Sequence, residues 1–103
     1  MSTATVPPEI IFPEGYYERR ELETPMKGWL DDVIVQLEDG SRYKLFFYDP
    51  VRLQQDLEED AREGTPYLAE PNLIVLPEVT TASIKDVVCQ LARKGYFKQL
   101  KPL

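Results

Sequence analysis

The stretch Trp29-Leu30-Asp31-Asp32-Val33-Ile34-Val35-Gln36-Leu37-Glu38-Asp39-Gly40-Ser41-Arg42-Tyr43-Lys44-Leu45-Phe46-Phe47-Tyr48 decides the fold. Two strand-like runs flank Glu38-Asp39-Gly40, and the loop length fixes which faces those runs form. A two-residue Asp39-Gly40 turn sets Val35 opposite Lys44 and Leu37 opposite Arg42, which mixes polar and apolar side chains on both faces. A three-residue loop, with Gly40 left-handed in a bulge, instead pairs Leu37 with Ser41, Val35 with Tyr43 and Val33 with Leu45. One face then collects Val33, Val35, Leu37, Tyr43, Leu45 and Phe47. The other carries Asp32, Ile34, Gln36, Arg42, Lys44 and Phe46 and is mostly polar. The pattern predicts a hairpin over 30–48 in the three-residue register.

Working outward, Asp49-Pro50 reads as a helix start, because Asp49 can cap free amides and Pro50 suits the first helical position. Leu53, Leu57 and Ala61 fall on one stripe and Gly64 supplies a left-handed stop, so a helix is expected over 50–63. Gly64 to Pro71 reads as a loop. The strand expected over 72–76 is apolar from Leu73 to Leu76, as in a strand covered on both sides, and Pro77 ends it. Thr80 or Thr81 caps a second helix over 81–94, where Ile84, Val87, Val88 and Leu91 share one stripe and Gly95 is the stop.

Upstream, Met1 to Gly15 holds three prolines, which suits a mobile tail followed by an extended piece or edge strand. Tyr16 to Leu22 is ambiguous between strand and loop. The expected organisation is an extended segment over 1–15 and one α+β domain over 16–103. Its sheet is small and antiparallel, of three or four strands, with both helices packed on one face. A right-handed crossover is expected to bring 72–76 beside the first hairpin strand.

With 103 residues, 43% of them hydrophobic, the chain has the size and composition of one self-sufficient domain. The longest apolar run is far too short to span a bilayer, and no signal-peptide pattern opens the chain. The lone Cys89 gives no internal disulfide, so the cytoplasm is the expected compartment. The net charge of −6 is unevenly placed. Residues 1–78 carry 7 Lys+Arg against 17 Asp+Glu, or −10, whereas residues 79–103 carry 5 against 1, or +4.

The composition also limits chemistry. There is no histidine, which removes Ser/His/Asp and Cys/His nucleophile pairs and the usual zinc shells. The five glycines are spread singly, so no phosphate loop forms and no cofactor is expected. Arg52, Asp56, Glu59 and Glu63 share a helix stripe about 60° wide, which reads as a solvated face rather than a cation site. Asp31 and Asp32 are neighbours on a strand and point to opposite faces, so they do not act as a catalytic pair.

Cys89 lies about 150° from its helix's apolar stripe and is expected to be an exposed thiol. Lys85, Arg93, Lys94, Lys98 and Lys101 make a basic end interleaved with Tyr96 and Phe97, but the acidic whole disfavours nucleic acid. If both helices cover one sheet face, Ile34, Phe46 and Tyr48 lie on the other. The segment Ile10, Ile11, Phe12 and Tyr16 is the nearest cover for them.

The expectation is a non-enzymatic protein-binding module, an adaptor, inhibitor or regulatory subunit. Its contact surface is drawn from Ile34, Phe46 and Tyr48 or from Arg52, Asp56, Glu59 and Glu63. Small-molecule binding or weak catalysis at the Asp49/Arg52 junction, and a homodimer through the open sheet face, are the alternatives. The partner is a protein or a second copy; no membrane is involved.

Overall fold

The computed structural model describes residues 7–103, the side chain of Glu18 excepted, so the first six residues of the mobile or extended segment expected over 1–15 lie outside the described residues. Four strands form one sheet in the order β1-β2-β3-β4: β1 (Glu9–Ile11), β2 (Trp29–Gln36), β3 (Arg42–Tyr48) and β4 (Leu73–Val75). Three helices accompany them: α1 (Glu21–Lys27), entered through a π-helical turn Tyr16–Arg20, α2 (Pro50–Arg62) and α3 (Thr81–Arg93). A 3-10 turn, Tyr96–Gln99, follows α3. The class is α+β.

The hairpin has the expected register. Val35 pairs with Tyr43 and Val33 with Leu45, while the Leu37 amide donates to the Ser41 carbonyl at 2.9 Å. Gly40 holds φ +88° in the loop, a value that favours glycine. Period-two alternation fails at one place: β2 carries a bulge between Leu30 and Val33, with Asp32 at φ +57°. The extra residue turns Leu30 inward along with Val33 and Val35, so all three are core. Asp31 and Asp32 take the exposed kink, paired to Arg20 at 3.8 Å and to Lys44 at 3.5 Å.

The sheet is mixed rather than antiparallel. β4 runs parallel to β3 at the outer side of the hairpin, with Phe47 opposite Ile74, instead of lying beside β2. The place beside β2 belongs to β1, where Ile10 faces Val35. As an edge strand, β4 leaves Val75 exposed instead of covered on both sides.

The two long helices also lie on opposite faces of the sheet, not on one. Ile84 and Val88 of α3 join Val33, Val35, Leu45 and Phe47 in the core, to which α2 contributes no residue. Instead α2 sets Asp56 against the Tyr48 phenol, and Tyr48 alternates with Phe47 onto the other face. The cause is legible in the stripes. Burying a large aliphatic side chain contributes roughly 1.5–3 kcal/mol, and α3 has two such fully buried residues whereas α2 has none. Leu53 and Leu57 are only half-buried and Ala61 is exposed, so α2 is a light cover and α3 a core helix.

The amino-terminal segment does not cover the second face as expected. Phe12 and Tyr16 enter the core with α3, their rings stacked at 4.4 Å, and only Ile11, opposite Ile34, reaches the second face. Tyr16 is fully buried and its hydroxyl lies 2.7 Å from Thr81 Oγ1, which in turn donates to Glu21 at 2.8 Å. Because the Thr81 proton is committed to Glu21, Tyr16 is the donor to Thr81. This chain of bonds fastens the π-turn to the start of α3.

Candidate functional site

The helix caps fall where the sequence puts them, and they build the junction that carries the candidate residues. Asp49 Oδ1 accepts from the Arg52 amide at 2.7 Å and Thr80 Oγ1 accepts from the Ser83 amide at 3.0 Å, each satisfying an orphan donor in a first turn. Asp49 also donates its own amide to the Gly28 carbonyl at 2.8 Å. Gly28 ends α1 at φ +78°, and a Cβ there would lie 2.6 Å from Asp49 Oδ2 and 2.9 Å from the Arg52 Cβ. The end of α1 is therefore locked onto the start of α2 by backbone contact, and Asp49 serves as cap and clamp.

The stripe Arg52, Asp56, Glu59, Glu63 is divided. Arg52 Nε lies 3.0 Å from Asp56 Oδ1 but is sequestered with the oxygen off its N–H direction, so the contact is an ion pair rather than a hydrogen bond. Asp56, 19% exposed, turns toward the sheet, while Glu59 and Glu63 face solvent. Burial foremost, with the facing Asp56 carboxylate added, pushes the Tyr48 phenol up to about 12. Among the described residues no three carboxylates converge as a metal ion requires.

Ile34, Phe46 and Tyr48 share the second face and are each half-buried, α2 being their cover on the Tyr48 side. Cys89 is half-buried, less open than its position on the helical wheel implies. The basic residues Lys85, Arg93, Lys94, Lys98 and Lys101 are all exposed, whereas Phe97 is buried against Tyr43 with ring centroids 5.2 Å apart. A shallow cleft of about 180 Å³ lies away from Asp49 and Arg52, between the hairpin loop and the end of α3. Pro8, Leu37, Ala92 and Phe97 line it, with Glu38 and Lys98 beside them.

One surface was absent from the sequence reading. Leu22 and Met26, one turn apart on α1, are 78% and 83% exposed, and Val51 on the adjoining start of α2 is 67% exposed. Over 16–22 the aromatics favour a strand and the charges leave neither face apolar, and the helix that forms instead is disguised by Pro25 and by a π-turn that breaks the 3.6 period. Lys27 followed by Gly28 was the available signal for a helix end.

Both outer sheet edges are short and bracketed by proline. β1 lies between Pro8 and Pro13, and β4 between Pro71 and Pro77. Such edges discourage the addition of a further strand. No helix among the described residues is long and apolar enough to cross a membrane. No family model matches the chain, nor does any curated protein or solved structure.

Proposed function

We propose that this chain is a protein-binding module without catalysis of its own, an adaptor, inhibitor or regulatory subunit, and that it meets its partner through Leu22, Met26 and Val51. The observation that carries this reading is the exposure of three large apolar side chains on two helices, Leu22 and Met26 on α1 and Val51 on α2, whose ends meet at Gly28 and Asp49. Apolar surface of this kind gains roughly 25 cal/mol per Å² when a partner removes it from water. Methionine adapts its shape to a partner better than branched residues do.

Three features support the rest of the reading. The chain has no histidine and a single cysteine, which suits binding in the cytoplasm better than acid–base or nucleophilic catalysis. The proline-bracketed edges favour recognition by side chains over strand addition, and the net charge of −6 favours a protein partner over nucleic acid.

Photocrosslinking tests the reading. A photoreactive side chain placed at Leu22 should capture a discrete protein from native lysate, and one placed at exposed Tyr67 should not. Equal capture at both positions, or none at Leu22, would count against it.

A further inference from the structure

We propose that the outer edge of β3 at Arg42 and Lys44 is a site for the addition of an extended peptide strand, and that residues 101–103 hold it closed. Backbone groups along β3 alternate in direction. The Ser41 carbonyl accepts across the hairpin from Leu37, whereas the Phe46 amide donates outward to the Asn72 carbonyl at 3.1 Å and the Tyr48 carbonyl accepts from Leu76 at 3.0 Å. The same parity turns the amides and carbonyls of Arg42 and Lys44 outward. β4 does not reach them, because its pairing begins at Phe46 and a turn, with the Leu73 amide on the Glu70 carbonyl at 3.3 Å, leads into it. Stand-ins occupy the two carbonyls: the Leu103 amide donates to Arg42 and the Asn72 side-chain amide to Lys44, each at 2.7 Å. Among the described residues the Arg42 and Lys44 amides meet no acceptor.

This stretch therefore presents the template of a strand row with no strand in it, and unlike the edges at β1 and β4 it has no proline at either end. Residues 101–103 are all exposed, so little apolar burial holds them down. The edge also selects its occupant by charge. Residues directly opposite on neighbouring strands share a face, and Arg42 and Lys44 are both exposed on the second face of the sheet. An incoming strand with acidic residues opposite them and β-branched residues between fits this edge. It replaces the Leu103 and Asn72 donors and supplies the acceptors that the two amides lack. The site shares no residue with Leu22, Met26 and Val51.

A peptide titration tests it, with acetyl-Val-Glu-Val-Glu-Val-amide as the probe and amide NMR of the full chain as the readout. The Arg42 and Lys44 amides should shift and gain protection from exchange as the peptide rises to ~5 mM, a range suited to a few exposed hydrogen bonds. Leu103→Pro, which removes the amide donor, should bind the peptide about two- to tenfold more tightly, the value of one net hydrogen bond. Deletion of residues 101–103 should do the same. A fully N-methylated peptide, and the lysine peptide acetyl-Val-Lys-Val-Lys-Val-amide, should each bind at least about threefold more weakly. No response at Arg42 and Lys44 in any of the three proteins would overturn the proposal. So would equal affinity of the wild type and the two folded variants, or binding of either control peptide as tight as that of the probe.

Discussion

Gly28 and Asp49 meet so closely that the hydrogen of the glycine is the only substituent the junction admits. The Asp49 amide donates to the Gly28 carbonyl at 2.8 Å while the Asp49 carboxylate occupies the space where a Cβ would go. This contact joins the end of α1 to the start of α2.

Gly28→Ala should therefore destabilise the protein by about 2–4 kcal/mol, the sum of a left-handed backbone penalty and steric displacement of Asp49 and Arg52. Gly40→Ala meets no atom within 4 Å and should cost about 1–2 kcal/mol from the backbone alone. Urea midpoints for the two variants check the order, and equal losses would contradict the close contact.

Tyr48 should resist ionisation until about pH 12 in an alkaline absorbance titration, and Tyr16 and Tyr96 should also titrate above the ordinary value. Folding raises the Tyr48 pKa, so the neutral phenol is the favoured native form. Its contribution to stability is complete below about pH 10, the unfolded value, and is lost as pH rises through about 12. Asp56→Asn should move Tyr48 only part of the way back, because burial is the larger cause.

Removing the Tyr16 hydroxyl with Tyr16→Phe should cost about 1 kcal/mol, whereas Tyr16→Ala should cost about 3–5 kcal/mol by opening the core. Tyr16→Phe combined with Thr81→Val should lose less than the two single changes added together, since either change alone breaks the same bond. Strict additivity would show that the hydroxyl contact contributes nothing.

Hydrogen exchange should protect α3 more than α2. Ile84 and Val88 tie α3 to the core, while α2 is held by its Asp49 cap, one partly exposed ion pair and half-buried leucines. Equal protection would mean that α2 is docked far better than its burial indicates.

The sequence expressed local structure more clearly than placement. Gly40 and the alternation around it specify the hairpin register, and Asp49, Pro50, Thr80 and the stop glycines specify two helices within a residue or two of their ends. Placement depends on competition that no single segment displays. Leu73–Leu76 is apolar enough for either side of the hairpin, and the outer side was free because β1 took the other.

The weak α2 stripe lost the core face to α3 for the same reason. The bulge at Asp31–Asp32 hid the inward turn of Leu30, since strict alternation gives Leu30 the opposite face. The surface on α1 was missed because a π-turn and an internal proline disguise the helix that presents it.

The most direct test of the binding-module reading is capture from native lysate by two baits, the wild-type chain and Leu22→Ser/Met26→Ser. Both substituted positions are exposed, so the variant should keep its thermal midpoint within about 2–4 °C. The account predicts a protein retained by the wild type and reduced at least about tenfold on the variant, the loss expected when about 1.4 kcal/mol or more of apolar contact is removed. Equal retention by both baits, or no protein retained specifically by the wild type, would contradict it.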